Sequence, residues 1–532
     1  MTASCDYILV TNQLKTIKIY KGVARASPAL KDELLEMESQ GMKTLKEVCA
    51  PLLAYEQVGA GNPDIQAMTM DSRGVIPGAL FICVNGYTVD GHTFARDAAA
   101  KGAAAIVAEQ PVDVDVPVIY VRDTKRAMAE LATMYYDQPS TSFKLIGVTG
   151  TNGKTTVTHL LENIFARAGE TPGLIGTLYT RAGEKSLDAK NTTPESLTLQ
   201  QTFAWMKDEG VTAAAMEVSS HALTLGRTRG AAFDVAVLTN VTEDHLDFHE
   251  TKEDYEQAKG LLFAQLGNEA DGRFKAAVLN ADDPVIKKYQ TMTAAPVITY
   301  GCTPEADVYA EDLSLNAAGV TFTLHAFGEA RPVKLQLMGK FSVYNALAAA
   351  AAALVSGFDL ETVTASLEEE TGVRGRFEPV DAGQNFGVIV DYAHTTDSLE
   401  NVLQAASEMT EQRLITVVGC GGDRDRGKRP KMAAVAEKYS DEAVFTSDNP
   451  RSENPAAIIE DMKAGASSYT VRQDRREAID YAIAQAGAGD VVVIAGKGHE
   501  TYQEVQGETL VFDDREEALK ALARRTEGGG TV

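Results

Sequence analysis

An α/β protein of three domains is predicted by three features of the sequence. At 532 residues the chain has room for three or four separately packed cores. Short apolar runs alternate with helical periods along most of it, the pattern of parallel sheets covered by helices. At Lys144 the strand KLIGV runs directly into a glycine-rich turn, GTNGKTT, and then into a helical stretch, THLLENIFARAG, closed by Gly169.

The first expected domain, 42–142, holds strand-like runs at Ala79–Val84, Ala103–Ala108 and Val116–Val121 between Gly, Pro and Asp turns. The second, 143–371, continues from the glycine-rich turn through AAAMEV, VAVLTNV and AAVLN, a set that reads as a doubly wound parallel sheet. It ends after the run Ala346–Val355, too short for a membrane span and read as a tightly packed buried helix. The third, 372–532, holds FGVIVDYAH, RLITVVGCGG, EAVFTSDNP and DVVVIAGKGHE, each a strand that ends in a polar or glycine-rich loop. In open parallel sheets ligands bind beyond the carboxyl ends of strands, where all four loops lie, and a Rossmann-like domain is expected. Residues 1–41 lack the ordered basic, apolar and cleavage regions of a secretory signal, and this N-terminal extension is assigned no role.

Composition narrows the function classes. Hydrophobic residues at 44% and charged residues at 23% exclude wholesale disorder. The 50 Lys and Arg against 75 Asp and Glu leave a net charge of −25, a field that repels nucleic acid and anionic membranes, so neither partner is expected. A bound anion then needs positive charge concentrated locally. The five cysteines are widely spaced and never CxxC, which fits a reducing cytoplasm and neither a disulfide framework nor a zinc ribbon.

The strongest local signal is Gly147–Thr156. Gly150, Thr151, Asn152 and Gly153 can wrap a phosphate chain with backbone N–H groups, Lys154 can neutralise its oxygens, Thr155 can ligate magnesium, and Thr156 continues into a helix whose positive end faces the anion. Val148 replaces the first glycine of the strict phosphate-loop pattern, yet Gly150 and Gly153 still flank the turn. Such a loop alone leaves motors, kinases, switches and ligases open. DHLDFH read by itself admits a zinc site or a plain helix start, and Lys259 by itself a solvated helix face. GCGG suggests a dinucleotide fingerprint, but Arg424 stands where its third glycine belongs.

The variant GTNGKTT resembles the nucleotide loop of the Mur ligase family, which includes folylpolyglutamate synthetases. The resemblance continues through DSR (Asp71–Arg73), TTPES (Thr192–Ser196), EVSSHAL (Glu217–Leu223), TNVTEDHLDFH (Thr239–His249), YEQAKGLLF (Tyr255–Phe263), NADD, GRFE, DYAH, GCGGDRDRGKRP, DNPRSENP and GKGHETYQ. It implies a small UDP-binding first domain, an ATPase second domain and an amino-acid-binding third domain. The implied reaction uses ATP to phosphorylate the D-Glu carboxylate of UDP-N-acetylmuramoyl-L-alanyl-D-glutamate, after which an amine attacks the acyl phosphate. Magnesium is implied at Thr155, Glu217, His245 and Lys259, the last carbamoylated by carbon dioxide so that a cation becomes a carboxylate. Asn280 and Arg376 are implied nucleotide contacts. Ser72 is implied on the UDP part, and Thr192, Thr193, Ser219 and Arg227 on the muramoyl peptide.

For the amine, the resemblance implies a pocket of Arg424, Asp448, Asn449, Pro450, Arg451, Gly496 and Glu500. Two guanidiniums favour a ligand with a second carboxylate, which arginine grips in a bidentate way. That selects meso-diaminopimelate over L-lysine, with Glu500 and Gly496 on the distal amino group. A lysine-adding ligase, a folylpolyglutamate synthetase and a catalytically silent nucleotide-binding module are the alternatives; a monomer is expected. Two positions depart from the family pattern: Ser342 where Asn is common, and Thr396 where Pro is usual.

Overall fold

Each of three sheets carries a parallel centre. The computed structural model describes residues 42–528 apart from 87–88, 243, 268–271 and 317–318, so the extension 1–41 lies outside the described residues. The first sheet has the order Glu56–Val58, Val118–Tyr120, Ala105–Ala108, Ala79–Ile82, Ala67–Thr69, parallel except for its first pair. The three expected strands are present, trimmed by about two residues. Successive side chains alternate between faces. Leu80 and Ile82 join the core beneath the helix Thr124–Tyr135, while Phe81 joins the opposite core with Ala95 and Ala98.

The central sheet has eleven strands. Its parallel heart runs Pro172–Ile175, Ala213–Glu217, Lys144–Thr149, Val235–Leu238, Ala276–Asn280, Val297–Gly301 and Val308–Asn316. The expectation of an all-parallel sheet needs correction at both edges. Tyr179–Ala182 and Lys185–Asp188 add an antiparallel hairpin to one side, and Gly319–Ala326 and Glu329–Leu335 extend the other antiparallel. The reason is burial. Ala276–Asn280 is buried at every position, as a strand covered on both faces must be. From Val320 onwards, Gly319–Ala326 alternates buried and half-buried residues, the signature of one covered face.

The Ala-rich helix, Lys340–Val355, has Ala346–Ala353 with no exposed surface and packs against the helix Lys154–Arg167 and the sheet. Its small side chains allow the close approach that longer ones would block. Gly169, at φ +82°, follows the last turn of Lys154–Arg167 and closes it with N–H bonds from Gly169 and Glu170 to Ala166 and Phe165 carbonyls.

The third sheet runs Glu378–Pro379, Gly387–Asp391, Val491–Ala495, Leu414–Cys420, Glu442–Ser447, Thr470–Val471, antiparallel only at the first pair. All four expected strands are there, and their polar loops emerge together at the carboxyl ends. A hairpin, Tyr502–Val505 with Glu508–Val511, is added beside them. Behind it Arg475 and Asp514, both without exposed side-chain surface, form a two-bond ion pair at 2.7 Å each. Among the described residues no helix is long and apolar enough to cross a membrane, and Cys49, Cys83, Cys302 and Cys420 are free thiols.

Candidate active site

A cavity of about 650 Å³ opens between the central and C-terminal sheets, lined by the phosphate-loop residues 151–156, Glu217, His245, Asn280 and Arg376 among others. The loop leaves the strand Lys144–Thr149 at Gly150, whose φ is +151°. A Cβ there would lie 1.8 Å from Thr239 Oγ1, so only glycine fits. Gly153, at φ +86°, begins the helix, and a Cβ on it would meet Asn345 Oδ1 at 2.3 Å. Thr239 locks the turn by donating its hydroxyl to Asn152 O at 2.6 Å.

Lys154 folds back onto this loop, donating to Gly150 O at 2.9 Å and Thr151 O at 2.8 Å. Burial lowers its pKa, and the Glu217 carboxylate partly offsets that. Thr155 donates its hydroxyl to Glu217 Oε2 at 3.0 Å. Glu217, at the end of the buried strand Ala213–Glu217, also accepts the backbone N–H of Thr177 at 2.7 Å and its hydroxyl at 3.1 Å. From the C-terminal side Arg376 donates to Thr155 Oγ1 at 3.2 Å while its guanidinium lies over the Tyr392 ring. Asn280 lines the cavity with its amide fixed to Thr239 O at 2.8 Å.

Lys259 sits beneath the loop rather than on a solvated helix face. It is 1% exposed, and its ammonium nitrogen donates to Gly150 O at 2.8 Å and lies 4.4 Å from the Tyr255 ring centre. Burial, with Lys154 nearby, holds its pKa well below the usual lysine value. His245 stands at the N-cap of the short helix Leu246–His249 in the left-handed conformation, and its N–H donates to Asp244 Oδ1 just before it. Its ring meets His221 edge-on at 4.8 Å, and burial pulls its pKa down to about 4. Among the described residues no three His, Cys, Asp or Glu side chains gather as a metal cluster.

Thr192 and Ser219 also line the cavity. Thr193 stands behind them, donating to Glu217 O at 2.9 Å and accepting the Ser219 N–H. Arg227 donates to Thr193 O and pairs with Glu195 at 2.7 Å. Ser72 stands apart on the first domain, in the turn Ser72–Gly74, where its carbonyl accepts Lys101.

Three loops of the C-terminal sheet form the second cluster. A Cβ on Gly421 would lie 3.0 Å from Arg451 Nη1 and 3.8 Å from Arg424 Cγ, so both arginines flank one point. They differ in commitment. Arg451 is braced by Glu504 Oε2 at 2.9 Å and Gly422 O at 2.9 Å, while Arg424 is exposed and carries no ion pair among the described residues. Pro450 packs its carbonyl against Gly422, and Asn449 donates to Glu500 Oε2 at 2.8 Å. Gly496, at φ +122°, leaves room for Asp448 Oδ2, 2.7 Å from where its Cβ would stand. The two clusters touch through the loops GRFE and GKGHE, since a Cβ on Gly375 would lie 2.2 Å from His499 N.

Sequence reasoning missed Thr177, which completes the Glu217 shell, and Asp397. Asp397 Oδ2 accepts Asn152 at 2.9 Å and the Thr242 hydroxyl at 2.7 Å, tying the third domain to the phosphate loop. It also missed Lys497, fully buried under the second cluster. Nothing local marks these residues; Asp397 lies three residues beyond DYAH and Lys497 within GKGHE, segments singled out for their neighbours. Ser342, one of the two departures from the family pattern, lines the cavity. Ser342 bonds back to Met338 O, and Thr396 is the first residue of the helix Thr396–Met409, where proline and other residues serve alike.

A phosphate loop at the head of a mixed sheet, met by an arginine and an aspartate from a second α/β sheet, defines an enzyme that encloses a nucleotide between domains. The chain belongs to the Mur ligase family. It matches the models of the Mur ligase family catalytic domain over 64–136, the Mur ligase middle domain over 148–353 and the glutamate ligase domain over 375–498. It is 55% identical over 486 residues to the UDP-N-acetylmuramoyl-L-alanyl-D-glutamate--2,6-diaminopimelate ligase of Halalkalibacterium halodurans, covering 91% of this chain and 100% of that one. The ligase of the same name from Listeria innocua is 52% identical over 485 residues, covering 90% and 99%. A solved structure of a ligase of that name superposes with a TM-score of 0.67 at 34% identity, over 91% of this chain and 99% of the other. The MurF ligase of Thermotoga maritima, solved with ADP, shares the fold at 20% identity, with a TM-score of 0.61 over 87% and 98%.

Proposed function

We propose that the protein is an ATP-dependent amide ligase that joins meso-2,6-diaminopimelate to the D-Glu carboxylate of UDP-N-acetylmuramoyl-L-alanyl-D-glutamate, in cytoplasmic synthesis of peptidoglycan precursor. The observation that carries this reading is the convergence of Lys154, Thr155, Glu217, Asn280 and Arg376 on one cavity between two sheets, with a second, arginine-flanked cluster adjoining it. The near full-length identity to ligases of that name supports the choice of substrate. The working units are residues 42–142, 143–371 and 372–532, acting as a monomer.

In this reading the loop N–H groups and Lys154 hold the ATP phosphates, Lys154 exchanging its two carbonyl acceptors for phosphate oxygens. Arg376 already touches Thr155 and adds positive charge where the two acids approach. The hard oxygen donors of Thr155 and Glu217 fit magnesium. Lys259 as an ammonium does not fit, but burial favours its neutral amine, the form that carbon dioxide converts to a carbamate. Thr155, Glu217, His245 and the Lys259 carbamate would hold the ions. Bound magnesium supplies charge neutralisation between the carboxylate and the γ-phosphate.

Thr192, Thr193, Ser219 and Arg227 orient the muramoyl peptide, and Ser72 reaches the UDP part. Arg424, exposed and without an ion pair among the described residues, takes the far carboxylate of diaminopimelate beside Arg451; Asp448, Asn449 and Pro450 shape the wall, and Gly496 and Glu500 meet the far amine. Phosphate release from ATP is the test: with the UDP-muramoyl dipeptide present, diaminopimelate is expected to drive turnover and L-lysine far less. Equal use of both amines, or ATP consumption with no amine joined, overturns the assignment.

A further inference from the structure

Lys497 is the most completely buried ammonium of the C-terminal domain, with no exposed side-chain surface. It is not solvated, and it does not line the nucleotide cavity. Its nitrogen donates to Asn449 Oδ1 at 2.9 Å and to Glu500 Oε2 at 2.9 Å, and Asn449 Nδ2 donates to the same Glu500 oxygen at 2.8 Å. The three side chains close a triangle. The backbone N–H of Glu504 also donates to Asn449 Oδ1, at 3.0 Å, which ties the triangle to the hairpin Tyr502–Val511. The Tyr502 ring lies 5.5 Å from the ammonium.

Two consequences follow from the donor and acceptor count. With Oε2 of Glu500 saturated by two donors, its other oxygen is the one left to accept an amine, in a direction already fixed. Because a buried ammonium neutralises the carboxylate, the pair has no net charge. Attraction for a ligand's ammonium therefore comes from a pre-aimed oxygen more than from excess negative charge. The amide orientation of Asn449 is set by the same ammonium, since only Oδ1 can accept from it.

We propose that Lys497 is a positioning residue for amine selection: it acts through Glu500 and Asn449 to aim one carboxylate oxygen at the far amino group of the incoming amino acid. This rests on the diaminopimelate reading above. The test compares meso-diaminopimelate with L-2-aminopimelate, the same diacid lacking the far amine, by kcat/KM in wild type, Lys497→Met, Glu500→Gln and the double variant. Wild type is expected to prefer diaminopimelate by about tenfold or more, the scale of one charged hydrogen bond. Lys497→Met is expected to bring that ratio down towards one while KM for ATP stays unchanged.

A lone Glu500 beneath the pocket can unfold the domain, so the double variant, which removes both charges, is measured against Glu500→Gln by itself. Equal ratios in those two support action through Glu500. A double variant whose ratio stays at the wild-type value removes Glu500 from amine selection, and a Lys497→Met enzyme that slows both diacids equally makes the lysine purely structural; either result overturns the proposal. Failure of the wild type to use either diacid instead overturns the substrate reading, so the two outcomes are distinct.

Discussion

The half of the cleft proposed for the nucleotide and the half proposed for the amino acid are built on different plans. In the first, function rests on a ten-residue segment whose shape is local: a strand, two glycines at positive φ and a helix start, with Lys154 returning to carbonyls three and four residues away. In the second, no segment suffices. Arg424, Arg451 and Glu500 come from three loops braced by the buried pair Arg475 with Asp514 and by the buried Arg429, which reaches the half-buried Glu453 and Asp461. Local geometry makes a site for a common ligand, while a selective pocket needs side chains from distant positions brought into register. The same contrast appears in charge. The first half brings Lys154 and Arg376 together, while in the second Arg451 is paired with Glu504 and Lys497 with Glu500, and Arg424 carries no ion pair among the described residues.

The comparison is sharpest where one substitution should silence one half. Lys259→Ala is expected to abolish turnover, by on the order of a thousandfold or more, if its carbamate helps hold the ions. Added bicarbonate should not restore phosphate release, and unchanged turnover would remove the carbamate from the mechanism. Arg475→Ala should instead unfold the scaffold of the amino-acid half, costing about 3–5 kcal/mol because Asp514 is left buried and unpaired. A denaturant titration checks this, and a loss below about 1 kcal/mol would show that the pair is not what holds these loops.

Smaller effects separate binding from chemistry. Arg451→Ala should weaken kcat/KM for diaminopimelate by about 2 kcal/mol or more, with KM for ATP unmoved, because a charged contact is lost from the amino-acid half only. Steady-state kinetics with each substrate varied in turn decides it. Asp397→Asn should weaken nucleotide binding by about 1 kcal/mol, since it loosens the contacts to Asn152 and Thr242 that join the halves. Calorimetric titration with ADP measures the change; an unaltered affinity would mean those contacts do not help to close the cleft.

Much of the first half was legible in the chain. Gly150 and Gly153 flank a strand-to-helix turn in the sequence, and the steric walls of Thr239 and Asn345 explain why both must be glycine. The edges of the central sheet were not legible as parallel or antiparallel, because Gly319–Ala326 and its neighbours are distinguished only by which face finds a cover. Lys259 illustrates the limit from the other direction. Its helix reads as an ordinary amphipathic surface, and only the packing of Lys252–Gln265 beneath the phosphate loop strips water from its amine.

By itself the sequence determined the alternation of strand and helix, the phosphate loop and the loops at the carboxyl ends of the strands, since each follows from short-range periodicity and backbone sterics. The tertiary structure alone decided that Arg451 is braced while Arg424 is free, that Asp397 bridges to Asn152, and that Lys497 lies dry beneath Glu500. Those outcomes depend on desolvation and on partners at separations of 29, 245 and 48 positions, which only the folded sheets bring within reach.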